Sequence, residues 1–258
     1  MNILFIGDIV SKPGRKAILD HLPSLRQTYA IDFVIANGEN AAHGKGISPR
    51  IYQQLVELGI DAITMGNHFL SKTLPPHFYE AADKMVRPYN IHPSTAGKGS
   101  RVFACKGHAI RVTNLLGRAY MDELEPTNPF TALDDLLANQ EPMIHIVDFH
   151  GEATGEKNAF CWNYDGRVTA IIGTHTHVQT ADERVFPKGT AFISDVGMTG
   201  PYNGVIGAEI DLMIERAKNN TGGRYDVAQG EGQLNAVVIT VDENTKKATN
   251  IIRLFIKP

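Results

Sequence analysis

The sequence predicts an α/β protein made of two packed mixed sheets with helices outside, and three observations lead there. Short apolar runs that end in polar or glycine residues recur along the chain, and helix-spaced apolar residues separate the first of them. Two further pairs of β-like runs bracket tight polar turns. With 258 residues, 43% of them hydrophobic, the chain can bury a large core, and residues 1–258 are expected to form one domain.

The first strand-like run is Asn2 to Gly7, the second Asp32 to Ala36 and the third Asp61 to Met65. Later runs are Met143 to Phe149, Val168 to Ile172 and Ala191 to Ser194. Their length and β-branched content favour buried strands over helices. Between the first three, Gly14 to Tyr29 carries Ile18, Leu22 and Leu25 at helical spacing, and Pro49 to Leu58 carries Ile51, Leu55 and Leu58. Ser48 before Pro49 reads as an N-cap with proline at the first helical position. Asn128 before Pro129 repeats the device and opens a helix through Leu137. Arg101 to Leu116 reads as a hairpin around Lys106-Gly107-His108, and Asn235 to Val241 pairs across a polar turn with Ala248 to Ile256. No internal repeat, low-complexity tract or linker interrupts the pattern.

Composition narrows the partners. The formal net charge is -3 and the sequence shows no Arg/Lys-rich face, so duplex nucleic acid held by counterion release is not expected. Cys105 and Cys161 are far apart and outside any CxxC pattern, which disfavours a disulfide framework or a thiolate zinc site. MNILFIGD reads as a strand rather than a signal segment, and no stretch approaches the roughly 20 apolar residues that span a bilayer. No membrane partner is expected, the location is expected to be cytoplasmic, and a homo-oligomer stays open.

The unusual polar residues fall at the ends of the strand-like runs. Asp8 ends the first, Glu39 and Asn40 follow the second, and Asn67 and His68 follow the third; His150 ends IHIVDFH, and His175 and His177 follow VTAIIG. Ligands of open α/β sheets bind outside the carboxyl ends of strands, so five segments are expected to deliver these groups to one rim. Carboxylates, carboxamides and imidazoles without sulfur suit iron, manganese or zinc better than calcium. The donors outnumber the needs of one four-coordinate ion, and Glu39 has two oxygens with which to bridge two. His175-x-His177, if extended, places both rings on one side. Two ions outweigh the charge of Asp8, Glu39 and a bridging hydroxide, so an acidic protein can still hold a phosphate.

At these residues the chain resembles the calcineurin-like metallophosphoesterases, and more closely the bacterial YmdB-type cyclic-nucleotide phosphodiesterases. The resemblance runs through FIGDIV, ANGENAAHGKGI, GNH at 66–68, VDFHGEATGEK, GTHTHVQTADE and SDVGMTGPYNGVIG. It implies a four-layer α/β/β/α sandwich and a dinuclear centre, with iron first and manganese or zinc as substitutes. By that resemblance Asp8, Glu39, Asn40 and His177 hold one ion, and Glu39, Asn67, His150 and His175 hold the other. His68 is the implied proton donor. Asp8-Ile9-Val10 lacks the histidine that the wider superfamily carries at its first motif, and Asn40 fills that place. Phe69-Leu70-Ser71 after GNH departs from the close relatives at a position near substrate.

The expected activity is metal-dependent hydrolysis of a phosphoric diester: attack by metal hydroxide on the phosphorus of 2′,3′-cyclic nucleotides, with 3′,5′-cyclic AMP and GMP as further substrates. Two alternatives stand beside it: a phosphomonoesterase or nucleotidase on the same fold, and a metal-containing regulatory RNA-binding protein with vestigial catalysis. His43, in a glycine-rich loop after two ligands, is a candidate substrate contact. His145 lies an odd number of positions from His150 and is expected to face away from the site. Trp162 and Tyr164 read as packing residues, with a base-stacking wall as the alternative. Met198-Thr199-Gly200-Pro201 reads as a shaped turn at the rim.

Overall fold

The apolar runs form strands whose alternate residues serve two different cores, and this parity decides which side chains reach the site. A computed structural model describes residues 1–138, 141–220 and 226–258. The N-terminal part contains β1 (Asn2–Ile6), β2 (Asp8–Ile9), α1 (Ser11–Thr28), β3 (Phe33–Asn37), α2 (Pro49–Glu57), β4 (Ala62–Thr64), α3 (Pro76–Ala81) and β5 (Met85–Val86). The middle contains β6 (Ser100–Cys105), β7 (His108–Leu116), α4 (Pro129–Ala138), β8 (Ile144–His150), α5 (Thr154–Tyr164) and β9 (Ala170–Thr174). The remainder is β10 (Arg184–Val185), β11 (Ala191–Ile193), β12 (Met198–Pro201), α6 (Ile210–Asn219), β13 (Gly232–Val241) and β14 (Ala248–Ile256).

Two mixed sheets result. The first runs β2-β12-β13-β1-β3-β4-β5, with β14 paired to β13, and the second runs β10-β11-β9-β8-β7-β6. β1, β3, β4 and β5 are parallel neighbours, as are β7, β8, β9 and β11. In β1, Leu4 and Ile6 join a cluster with Ile18 and Leu22 of α1 and Leu55 of α2, while Ile3 and Phe5 point the other way. There they meet Ile146 of β8, Ile172 of β9 and Ile193 of β11, so this second cluster draws on both sheets. A third cluster joins Val147 and Phe149 of β8 to Leu133 of α4 and Phe160 and Tyr164 of α5. Apolar burial on both faces of each sheet explains the near-continuous apolar runs.

Most boundaries agree with the sequence. Ser48 Oγ accepts from the Ile51 amide and Asn128 Oδ1 from the Phe130 amide at 2.9 Å. Lys106 and Gly107, both at positive φ, make the two-residue turn between β6 and β7. α1 begins at Ser11 rather than Gly14, because Pro13 falls in the first turn, where a missing N–H costs no helical bond. Met198 to Pro201 is a strand, not a turn: Met198 pairs with Asp8 and Gly200 with Gln233. Glycine and proline hid it, and the pairing comes entirely from neighbours. Tyr164 is core, whereas Trp162 is 54% exposed and lies edge-on to Phe186 at 4.5 Å. Neither forms a wall at the rim.

Candidate metal centre

Each strand end has its own device for turning polar groups inward. β2 holds Asp8, whose amide donates to the Gly197 carbonyl at 3.0 Å, and the side chain is fully buried. After β3, the Glu39 amide donates to Asn37 Oδ1 at 3.0 Å, a tight turn that aims Glu39 back over the sheet. After β4 the chain bends at Gly66, with φ 57°. A Cβ there would lie 2.2 Å from Glu39 Oε2 and 2.6 Å from the His150 ring, so only glycine lets these groups approach. His150 closes β8 on the face that looks between the sheets, and His145 points to the opposite face, as parity requires.

His175 and His177 are not extended, the condition under which the sequence places both rings on one side. Both have positive φ, 108° and 66°. Left-handed backbone at two non-glycine residues is strained and persists only where surrounding contacts enforce it. Here the Thr176 amide donates to Asp195 Oδ2 at 2.9 Å, and buried Lys157 donates to the Thr174 carbonyl at 2.9 Å and to Asp195 at 3.0 Å. The sequence assigns no role to Lys157 or Asp195; the available signal was that Lys157 shares a helix face with Phe160, Cys161 and Tyr164.

The donor atoms fall into two groups with one member in common. Glu39, His150 and His175 offer atoms within 4.8 Å of one another, and so do Asp8, Glu39 and His177. Proton positions within the first group follow from its partners. The Thr174 hydroxyl donates to Asp148 Oδ1 at 2.6 Å, so its oxygen accepts from His150 Nδ1–H at 2.8 Å and leaves His150 Nε2 with a lone pair. Asn67 Nδ2 donates to Glu123, which turns Asn67 Oδ1 toward that Nε2 at 2.8 Å. Glu39 Oε2 lies 3.4 Å from the same nitrogen. His175 Nε2 faces Glu152 at 3.1 Å, so its Nδ1, 3.1 Å from His150 Nε2, presents a second lone pair. Four acceptor atoms therefore converge with no proton between them. A cation satisfies that arrangement and a hydrogen-bond network does not.

The second group is looser. His177 Nδ1–H donates to the Ile206 carbonyl at 2.9 Å, turning Nε2 inward. Asp8 Oδ1 is buried with no hydrogen-bond partner, while Oδ2 accepts from the His175 amide at 3.2 Å. Such an orphaned oxygen is costly unless something binds it. Asn40 Nδ2 lies 3.0 Å from Glu39 Oε1 and 3.1 Å from His177 Nε2, and its Oδ1 accepts from His68 Nδ1 at 2.7 Å. Coordination through Asn40 requires that amide turned over, so that the oxygen faces Glu39 and His177.

Electrostatics favour a bound cation as well. Burial pushes Asp8 well above the carboxylate range, and repulsion from Glu39, Asp195 and Asp148 adds to it. Burial also pushes Asp148 up to about 7 despite hydrogen bonds from Thr174 and Asn37. For Glu39, burial is outweighed by its histidine neighbours, His150 first, and by hydrogen bonds from His68, which hold it ionised, below the carboxylate range. Burial drives His150 well below the imidazole range and lowers His175. Crowded carboxylates beside neutral imidazoles are the donor chemistry of iron, manganese or zinc.

The group opens into a cavity of about 490 Å³ lined by Glu39, Asn40, His43, His68, His175 and His177, with Lys45 and Glu152 at its edge. Asp8, Asn67 and His150 sit behind that wall. A larger cavity of about 700 Å³ around Arg87, Asn90 and Asp135 contains none of these side chains. Phe69 packs against Tyr79 at 4.8 Å, away from the cavity, so the departure after GNH falls partly on the core. No helix among the described residues is long and apolar enough to cross a membrane.

Known proteins resemble this chain over nearly its whole length. The family described as YmdB-like protein matches residues 4–254. A Bacillus subtilis (strain 168) protein named 2′,3′-cyclic-nucleotide 2′-phosphodiesterase is 48% identical, over 99% of this chain and 97% of its own. A crystal structure of a novel phosphatase from Mycoplasma pneumoniae superposes with a TM-score of 0.95 at 42% identity, covering 99% of this chain and 93% of that one. The NAD nucleotidase of Haemophilus influenzae, at 12% identity and a TM-score of 0.59 over 99% of this chain and 50% of its own, shares the mixed α/β fold.

Proposed function

The chain belongs to the YmdB-like protein family, and from that premise we propose that it is a phosphodiesterase that opens 2′,3′-cyclic nucleotides at a two-metal site. One observation carries the reading: the two donor groups share Glu39 and face one cavity. Asp8, Glu39, Asn40 and His177 would hold one ion, and Glu39, Asn67, His150 and His175 the other. Iron is the first candidate, and manganese or zinc suits the same donors. Bound there, the ions would supply a water activated near neutral pH and positive charge for the phosphoryl oxygens. The whole chain then reads as one domain, residues 1–258, in a four-layer α/β/β/α arrangement, supported by apolar clusters between the sheets and under the helices on both sides.

The chain's own groups position and protonate. The His68 amide donates to Glu39 Oε2 at 3.0 Å, and an Asn40 amide turned over to coordinate would donate its Nδ2–H to His68 Nδ1, which keeps the ring proton on Nε2, toward the cavity. From there it gives a proton to the departing ribose oxygen, and a phosphomonoester remains on the sugar. Lys157 and Asp195 fix the backbone of residues 174–176, and Glu152 orients His175.

The test is turnover of anaerobically prepared protein on 2′,3′-cyclic nucleotides, 3′,5′-cyclic nucleotides and phosphomonoesters, with metal content measured alongside. The expected result is two ions per chain and fastest turnover on the 2′,3′-cyclic diesters; preference for monoesters moves the chain to the phosphatase alternative. His68→Ala should keep both ions and lose roughly two to four decades of turnover. Full turnover in that variant removes His68 from the chemistry.

A further inference from the structure

We propose that a cationic shelf beside the site binds the internucleotide phosphates of a short single-stranded oligoribonucleotide, so that the site acts on a cyclic phosphate at the 3′ end of an RNA chain. This inference rests on the phosphodiesterase reading above and names its substrate class.

The site cavity does not end at its metal-facing wall. Two further cavities, of about 620 and 480 Å³, adjoin it through His43, which lines all three. Their cationic lining comes from two places in the chain: Lys12, Arg15 and Lys16 on the first turns of α1, and Arg50 at the start of α2. Neither lining includes a carboxylate. Lys12, Lys16, Arg50 and the nearby Lys45 are exposed. Lys16 is paired with Asp20, whereas Lys12, Lys45 and Arg50 have no ion-pair partner among the described residues. This concentration occurs in a protein whose formal charge is -3. The sequence shows Lys12, Arg15 and Lys16 close together, and the packing of α1 against α2 adds Arg50, more than thirty positions away along the chain.

Arg15 ties the shelf to the site. Its guanidinium donates to the Ala41 carbonyl, in the loop that follows the ligand pair Glu39 and Asn40, and its Nε donates to Gln54 of α2 at 3.0 Å. Arg15 and Arg50 line the same cavity, and burial together with the neighbouring Arg50 lowers the hold of Arg15 on its own proton. Like charges crowd at a cost unless an anion lies between them.

A free cyclic nucleotide has one phosphate and would occupy only the site cavity. A 2′,3′-cyclic phosphate requires a ribose at a 3′ terminus, and every nucleotide on its 5′ side adds one phosphate. Phosphates spaced along a strand fit successive cationic cavities joined at His43. A single strand is required, since a terminal nucleotide must splay out of any helix to enter a concave site.

The test uses the metal-loaded protein and its Lys12→Gln/Arg50→Gln variant, which changes neither a proposed ligand nor His68. Turnover is compared on 2′,3′-cyclic AMP and on a pentaadenylate ending in a 2′,3′-cyclic phosphate. Binding of a fluorescent pentaadenylate ending in a 3′-phosphate is followed by anisotropy over a range of salt. The wild-type protein should prefer the pentamer by at least about tenfold in kcat/KM, and the variant should lose that preference with cyclic AMP turnover unchanged. The slope of log Kd against log salt should shrink by roughly 1.4, about 0.7 for each cation removed. Equal kcat/KM for both substrates in the wild type, or an unchanged salt slope in the variant, overturns the inference. Turnover of neither substrate counts against the phosphodiesterase reading instead, and the salt slope still decides for or against the shelf.

Discussion

The donors around His150 and those around His177 meet at the same glutamate but are supported by different parts of the fold. His150 is the last residue of a central strand, its tautomer fixed through Thr174 and Asp148, and Asn67 is oriented by Glu123. His177 sits on strained backbone, as His175 does, is held by a loop carbonyl, and faces an Asn40 amide that must turn over to coordinate. Side-chain hydrogen bonds therefore orient His150 and Asn67 before any ion arrives, whereas His177 and Asn40 depend on loop contacts. Preorganised donors bind a given ion more tightly, since less ordering cost is set against binding. The His150 half is accordingly expected to fill first.

The largest effect should come from the residue the halves share. Glu39→Ala is expected to lose both ions and reduce turnover to background, read by elemental analysis beside the activity assay. An alanine variant that still holds two ions would break the comparison at its root. A smaller effect should single out the His150 half. Thr174→Val removes the hydroxyl that sets the His150 tautomer and should weaken one ion's affinity by about 10–100-fold, leaving the other unchanged. Equal weakening of both, in a metal titration, would show that the halves are not independently held.

The smallest effect sharpens a second contrast, between the two histidines of β8. Burial, with repulsion from Arg111, lowers buried His145 to about 3 from its ordinary 6.5. The unfolded chain therefore binds more protons than the folded one between pH 3 and 6.5, so stability rises with pH across that window. One such group contributes a slope of at most about 1.4 kcal/mol per pH unit, which His145→Gln should remove. Denaturant melts at several pH values measure it, and an unchanged slope would contradict the assignment.

What the sequence revealed depended on how locally each feature is determined. Strands β1, β3, β8 and β9 were legible because their apolar runs serve cores on both faces, and the hairpin at Lys106-Gly107 because its turn chemistry is local. The parity rule separated His145 from His150 without any structure. β12 was not legible, because Met-Thr-Gly-Pro has little strand propensity and is held by β2 and β13. The backbone at His175 and His177 was also hidden, since the Lys157–Asp195 pair that enforces it comes from two distant segments. Donor identity thus shows in sequence, while the scaffold that aims the donors and the approach of Arg50 to the cations of α1 emerge only on folding.

The account stands on two cations sharing one carboxylate. Anomalous difference maps of metal-loaded crystals, collected above and below the absorption edge of the metal found by elemental analysis, address this directly. The expected result is two peaks roughly 3.5–4 Å apart, each within bonding distance of a different Glu39 oxygen, one beside His150 and His175 and the other beside Asp8 and His177. A single peak, or two peaks of which only one touches Glu39, would contradict it.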